Sequence, residues 1–397
     1  MKAISLVASV LVCIVCNPTD AQPSIRRETI KATARPNHPA LTLETVRSNA
    51  RQVRGKYLLS MNYAPNVIDR TPPYQALMLT VSTEGAVKVL RKFSSSDVLV
   101  WGIDLKPQPD GLYSFALNRP RPPVWVYDLR LIEPDSNTEV IEPKGFPARD
   151  PDLDGHETVI YYGDRRIFLF YRTRKENDKT YIDMEVSAVS AKTGETVGRW
   201  SSRGLFPESM TGDYLHFNSL HPMSEELVLA SARSTSTLYV LNLNTGKIDD
   251  QIDAASWKFI NDPLNGFKRQ HFAHFRDNGN LVLFDNRDDK ETAPNSRAVE
   301  YQVDWKTRTL TLVWEHYASR PVSFRYGWGS ALALTDVEFL IGWGDYPRTP
   351  GFCSNQRELV PVFSHVTRSK KPIFELRAPC GWVTYRVYFV PDRPKRK

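Results

Sequence analysis

Three of the chain's eight histidines, His156, His216 and His271, recur at one phase of a repeated pattern, each where a strand is expected to begin. Imidazoles brought to a common point can serve as nucleophiles, as acid–base groups or as metal ligands. The block Asn261-Asp262-Pro263-Leu264-Asn265-Gly266-Phe267, Gln270-His271 and Gly279 to Asn286 sets a histidine at the head of an apolar strand, with an Asn278-Gly279 hairpin behind it. Arg297 opens the next strand, Ser296-Arg297-Ala298-Val299-Glu300-Tyr301. Its guanidinium offers forked donors suited to a tetrahedral oxyanion, or equally a salt bridge inside the sheet. Asn218 and Ser330 occupy related positions, in His216-Phe217-Asn218-Ser219 and Trp328-Gly329-Ser330, and are candidates for substrate binding. His274 lies three residues beyond His271 and is expected to face the other way. His221 falls near a turn, and both are read as structural. His38, His316 and His365 are read as surface or packing residues.

These side chains need a repeated scaffold to converge. The chain carries six copies of a hairpin, an apolar alternating strand, a polar turn and a second apolar strand. The turns are Thr83-Glu84-Gly85, Ser136-Asn137-Thr138, Lys192-Thr193-Gly194, Asn244-Thr245-Gly246, Lys306-Thr307-Arg308 and Ser369-Lys370. Another turn precedes most of them, at Pro109-Asp110-Gly111, Gly163-Asp164-Arg165, Ser224-Glu225-Glu226, Asp277-Asn278-Gly279 and Thr335-Asp336-Val337. Two hairpins per unit make the four strands of one blade, and a spacing of roughly 50 to 60 residues matches a propeller period. The expected fold is all-β, a six-bladed β-propeller over residues 54–390, with the first strand of each blade lining the channel. Residues 22–53 form an extended N-terminal segment outside the repeat, and residues 391–397 a basic tail.

The chain's 397 residues, 41% hydrophobic and 24% charged, can bury a large core. Residues 1–21 read as a secretory signal, with Lys2, a short apolar run and a small-residue cut before Gln22. No later segment reaches the ~20 apolar residues of a membrane span, so a secreted protein without membrane insertion is expected. Cys353 and Cys380 then remain as an even pair in an oxidising compartment, where a disulfide is expected. The net charge of +7 favours anionic partners. No nucleic-acid-binding module is visible, the oligomeric state is not specified by the sequence, and no cofactor or metal motif is identified.

The phrases Asp213-Tyr214-Leu215-His216-Phe217-Asn218-Ser219-Leu220, the block from Asn261 to Asn286, Ser296 to Tyr301 and Leu340-Ile341-Gly342-Trp343-Gly344 resemble the arylsulfotransferase family of β-propellers. The resemblance implies transfer of a sulfuryl group from an aryl sulfate to a phenol through a sulfated histidine, without a nucleotide donor. By motif position it implies catalytic roles for His216, His271 and Arg297, while His156, Asn218 and Ser330 are substrate-binding candidates by their phase in the repeat. Phe272 stands where the family carries an acidic residue. The family's later histidine has no counterpart, so the nucleophile is unassigned. Two other readings stay open, a non-catalytic propeller binding a sulfated or phenolic ligand and a His-lined metal site.

Overall fold

The computed structural model describes residues 23–30, 41–48, 54–63, 74–95, 101–121, 124–132, 139–141, 153–207, 209–287, 296–319, 327–344 and 358–392. Among them there is no helix, and therefore none long and apolar enough to cross a membrane. The fold is an all-β propeller, with five blades counted rather than the six expected. Among the described residues the hydrogen-bonded sheets nevertheless number six, and four of these keep a plain four-strand order.

The innermost strands are Trp101–Pro107, Leu153–Tyr162, Phe217–Pro222, His271–Phe275, Ser330–Ala333 and Trp382–Pro391, taken as the first to fifth sheets and the closing sheet. Each touches the next in that order, and the last touches the first, so they close a ring. The turns read from the sequence as third-to-fourth-strand connections join the paired strands as expected, for example Thr237–Asn242 with Lys247–Ile252. The turn at Ser136 to Thr138 lies outside the described residues.

Ring closure explains why the second and third strands of a sheet are apolar on both faces. Leu227–Ala232 is buried along almost its whole length, whereas the edge strand Lys247–Ile252 alternates between exposed and half-buried. Each sheet stacks on two neighbours, so only its edges reach water. One apolar cluster, with Trp200, Phe217 and Val228, fills the space between the second and third sheets. Another, with Leu283, Leu310 and Trp257, fills that between the third and fourth.

The N-terminal segment is not simply outside the repeat. Ser24–Ile30 and Leu41–Arg47 pair with each other, and the latter pairs with Pro372–Pro379 at the outer edge of the fifth sheet. Its Leu41 and Leu43 are buried in the core next to the closing sheet. Residues 1–22 and 393–397, including the proposed leader and most of the basic tail, lie outside the described residues.

Hydrogen bonds from side chain to backbone lock neighbouring sheets at the axis. Asn62 Nδ2 donates to the Gly102 carbonyl at 2.8 Å, and its Oδ1 accepts from the Gly102 N–H at 2.8 Å. Both residues are buried. Replacing Asn62 by Ala strands one buried donor and one buried acceptor, at a cost of roughly 1–3 kcal/mol each. Asn62→Ala is therefore expected to lower the unfolding free energy by about 2–4 kcal/mol, read as a lower denaturant midpoint at unchanged slope.

Candidate functional site

Five inner strands break register at one phase. The breaks fall between Ile103 and Lys106, Gly155 and Glu157, Phe217 and Ser219, His271 and His274, and Thr384 and Val387. Asp104, His216, Phe272 and Trp328 adopt positive φ at or beside this level, at 56°, 53°, 53° and 69°. Non-glycine residues enter this region at a cost of order 1–3 kcal/mol, and such strain gathers where side chains are re-aimed at a site.

His216 is the chemically best presented of the expected residues. Its Nδ1 is hydrogen-bonded to the Asp213 carboxylate, its side chain is 27% exposed, and Tyr171 stands edge-on at 5.9 Å. A carboxylate on Nδ1 holds the proton there and leaves the lone pair on Nε2, the tautomer of a general base or nucleophile. Asp213 belongs to a phrase the sequence marks, but its role as the orienting acid was not assigned from that phrase. The i to i+3 spacing across a turn was the available signal.

His271 is placed differently. It is 2% exposed, and both ring nitrogens are engaged. Nδ1 donates to Asn286 Oδ1 at 2.6 Å, while Nε2 accepts the Trp328 N–H at 3.1 Å. Asn286 Nδ2 in turn donates to the Trp328 carbonyl at 2.9 Å, which fixes the amide orientation. Burial pushes the His271 pKa well below the ordinary histidine value, and Arg233, His216 and Arg386 add to the effect against a weaker opposing bond from Asn286. It is thus a neutral ring, held between the fourth and fifth sheets.

Gly327 shows what else is there. A β-carbon at this position (φ +112°) would lie 3.1 Å from His271 Cε1 and 3.3 Å from both His271 Nε2 and Arg233 Nε. The Arg233 guanidinium therefore stands beside the His271 ring, and its backbone N–H bonds the His216 carbonyl at 3.1 Å. Gly327 leaves room for this approach, and Gly329 likewise lies under the Phe284 ring.

Across the axis, Arg386 on the closing strand bonds Asp104 at 2.9 Å and the Asn218 carbonyl, with Phe272 and Tyr385 rings at 4.6 and 4.8 Å. Tyr388 donates to Asp104 at 2.5 Å. Neither Arg233 nor Arg386 was singled out from sequence. Arg233 follows the strand Leu227–Ala232 and Arg386 lies within Trp382–Pro391, and only the closed ring brings either to the axis.

Arg297 is a correction. Its side chain is fully buried and surrounded by acids, with Nε on Asp285 at 3.0 Å, Nη1 on Glu315 at 2.8 Å and Nη2 on Asp262 at 2.9 Å. Arg287 also bonds Asp285 at 3.2 Å, so two guanidiniums face three carboxylates. Such a cluster repels an added anion. Asp262 also accepts the Leu264 and Gly266 N–H groups at 3.0 Å each and the Tyr301 hydroxyl at 2.7 Å. Although burial opposes it, the Tyr301 bond and Arg297 hold the Asp262 pKa below the usual carboxylate value, while burial outweighs the arginines and raises Asp285. The most marked phrase in the sequence therefore builds an ionic lock, not an anion clamp.

Asn218 and Ser330 are fully buried and act within the scaffold. Asn218 Nδ2 donates to the Gln270 carbonyl at 2.7 Å, and Ser330 Oγ accepts the Val387 N–H at 3.4 Å. His156 lies at the bulge of the second inner strand, but its side chain is outside the described residues, as is Cys353. Among the described residues no three His, Cys, Asp or Glu side chains are grouped to hold a metal ion.

Residues 168–363 match the family described as arylsulfotransferase (ASST). This match assigns that span to the arylsulfotransferase family. Nothing among curated proteins matches it. The family match takes in Asp213, His216, Arg233, His271 and Arg297, whereas Asp104 and Arg386, at the two ends of the ring, lie outside it.

Among the described residues, His221, His274 and His365 pack within the scaffold. His221 and His274 face one another across the third and fourth inner strands with ring centroids 6.0 Å apart, and His365 accepts or donates at Tyr57 over 2.9 Å. Burial lowers the His221 pKa to about 4, and burial with the His221 charge lowers His274 to about 3. Both values lie below the roughly 6.5 of unfolded histidine, so the unfolded chain binds protons first. Their contribution is present above about pH 6.5 and is lost as pH falls toward 4. The double variant His221→Leu/His274→Leu is expected to flatten the slope of unfolding free energy against pH by up to two protons, measured by urea titration between pH 7 and 4.5.

Proposed function

We propose that the protein moves a sulfuryl group from an aryl sulfate to a phenol, with His216 as the nucleophile. The observation that carries this is the Asp213–His216 pair, partly exposed on the bulged level of the ring, with the Arg233 backbone bonded to His216 and its guanidinium beside His271. In the first step His216 Nε2 attacks sulfur, an N–S bond forms, the S–O(aryl) bond breaks and the leaving phenolate takes a proton. In the second, the acceptor phenol gives up a proton, its oxygen attacks sulfur, and the N–S bond breaks to free His216. Protons and charge balance over the cycle.

In this reading Arg233 is the cation for the sulfuryl oxygens, replacing Arg297 in that role. Neutral His271 keeps Gly327, Trp328 and Asn286 in place beside it. Asp213 stabilises the imidazolium that forms during transfer. The family match supports aryl substrates, and the net charge of +7 suits their anionic esters. We read the six sheets as six blades, because six inner strands complete the ring. We also keep residues 1–21 as a leader removed on export and Cys353–Cys380 as a disulfide. Cys380 is buried, which suits the pairing.

Intact-mass analysis after exposure to 4-nitrophenyl sulfate tests the reading. A sulfuryl adduct mapping to His216 is expected, absent in His216→Asn. Asp213→Asn should reduce turnover by about 10²–10⁴-fold while the protein stays folded, and Arg233→Met should raise KM for the sulfate ester more than Arg297→Lys does. An adduct on another residue, or none alongside saturable binding, would replace this mechanism with a different nucleophile or with a binding propeller.

A further inference from the structure

A second feature lies at the rim, formed by the hairpin of Arg165–Glu176 with Lys179–Ser190 and by the loop leading from Thr196–Ser201 to Phe217–Pro222. Between them is a cleft of about 210 Å³, lined by the rings of Tyr181, Phe206 and Tyr214 and by Arg174, Arg203, Glu176 and Asp183. This is below the roughly 300–1,000 Å³ of a drug-sized pocket and suits one small ring.

The walls are built rather than incidental. Gly212 N–H donates to the Thr180 carbonyl at 2.7 Å, Ile182 N–H donates to the Gly212 carbonyl at 3.0 Å, and Tyr214 donates to Ser202 Oγ at 3.0 Å. Phe206 packs on Tyr214 and Tyr239 with centroids 5.6 and 5.9 Å away. Leu205 and Met210 on the same loop are nevertheless 45% and 38% exposed. Aromatic rings among polar walls, with exposed apolar neighbours, favour a ring that carries a polar group over a purely polar ligand.

Charge selects further. The Arg174 guanidinium lies over the Tyr181 ring at 4.3 Å and is bonded to Asp183 at 3.1 Å and to Glu176, so its charge is spent. Arg203 is exposed, and among the described residues no carboxylate pairs with it. The lining charges balance, two guanidiniums against two carboxylates, but both carboxylates lie on Arg174, so Arg203 at the edge is the cation left without a direct ion pair among the described residues.

We propose that this cleft is a binding site for a small aromatic anion, its ring on Phe206, Tyr181 and Tyr214 and its carboxylate or sulfonate on Arg203. It is separate from the Asp213–His216 pair, although the loop that walls it continues into Asp213. Neither the site nor its test depends on sulfuryl transfer.

Titration calorimetry of the full chain in the His216→Asn background, with 4-hydroxybenzoate and phenol as probes, tests this. Saturable binding of 4-hydroxybenzoate is expected. Arg203→Gln should weaken it at least tenfold while leaving phenol unchanged, Arg203→Lys should restore part of the loss, and Phe206→Ala should weaken both probes. Arg203 is exposed, so an unchanged unfolding midpoint will show that its variants are folded. Equal 4-hydroxybenzoate affinity in wild type and Arg203→Gln, or no saturable binding, overturns the proposal. Absence of sulfuryl transfer by the wild-type chain, with this binding pattern intact, would instead overturn the mechanism at His216.

Discussion

Ring closure by the strand Trp382–Pro391 is the constraint on which the site depends. The closing sheet takes its three other strands from residues 55–95, so its inner strand comes from the opposite end of the chain. Without that strand, the apolar faces that meet Leu58 and Tyr388 on one side and Leu340 and Val387 on the other would lose their cover. Burying each such side chain contributes roughly 1.5–3 kcal/mol. The same strand carries Arg386, whose guanidinium bridges Asp104 of the first sheet and the Asn218 carbonyl of the third. Packing and axial electrostatics are therefore set by one segment, and the level at which His216 sits is fixed by residues distant from it in sequence.

The segment from Asn261 to Arg297 looks uniform in sequence, yet it divides by the alternation of side chains along a strand. Asp285 turns toward Arg297, Arg287 and the Asp262 turn, while its neighbour Asn286 turns toward His271 and Trp328. One side is an ionic lock with more acid than base. The other orients a neutral histidine next to a guanidinium. Adjacent residues thus serve opposite electrostatic environments, and a pattern that pairs His271 with Arg297 joins two faces of the same sheet.

The fold was legible because period-two alternation and Gly- or Asn-containing turns act locally. The hairpins around Lys192-Thr193-Gly194 and Asn244-Thr245-Gly246 needed no tertiary knowledge. The phase of His216 and His271 was legible for the same reason, since it follows from counting strands. What escaped was set by other parts of the chain. The sequence shows Arg297 and Arg233 as similar arginines near strand ends. Only burial among Asp262, Asp285 and Glu315 makes the first structural, and only approach to Gly327 brings the second beside His271. The N-terminal strands escaped too, because polar, Pro-interrupted sequence conceals that Leu41 and Leu43 have a core to enter.

The two axial histidines differ in what surrounds them, and that difference bears on chemistry. An imidazole must offer a lone pair to attack sulfur and must tolerate positive charge once the N–S bond forms. His271 meets neither demand in this arrangement: its Nε2 already accepts a backbone N–H, and burial with Arg233 and Arg386 opposes a charge on the ring. His216 has its Nδ1 on a carboxylate and a partly exposed ring, which meets both. A sulfuryl group on His216 would be anionic at its oxygens, so cations that disfavour a charged His271 would favour that intermediate. The positive field that keeps one ring neutral is thus the same field that would stabilise the product of attack by the other.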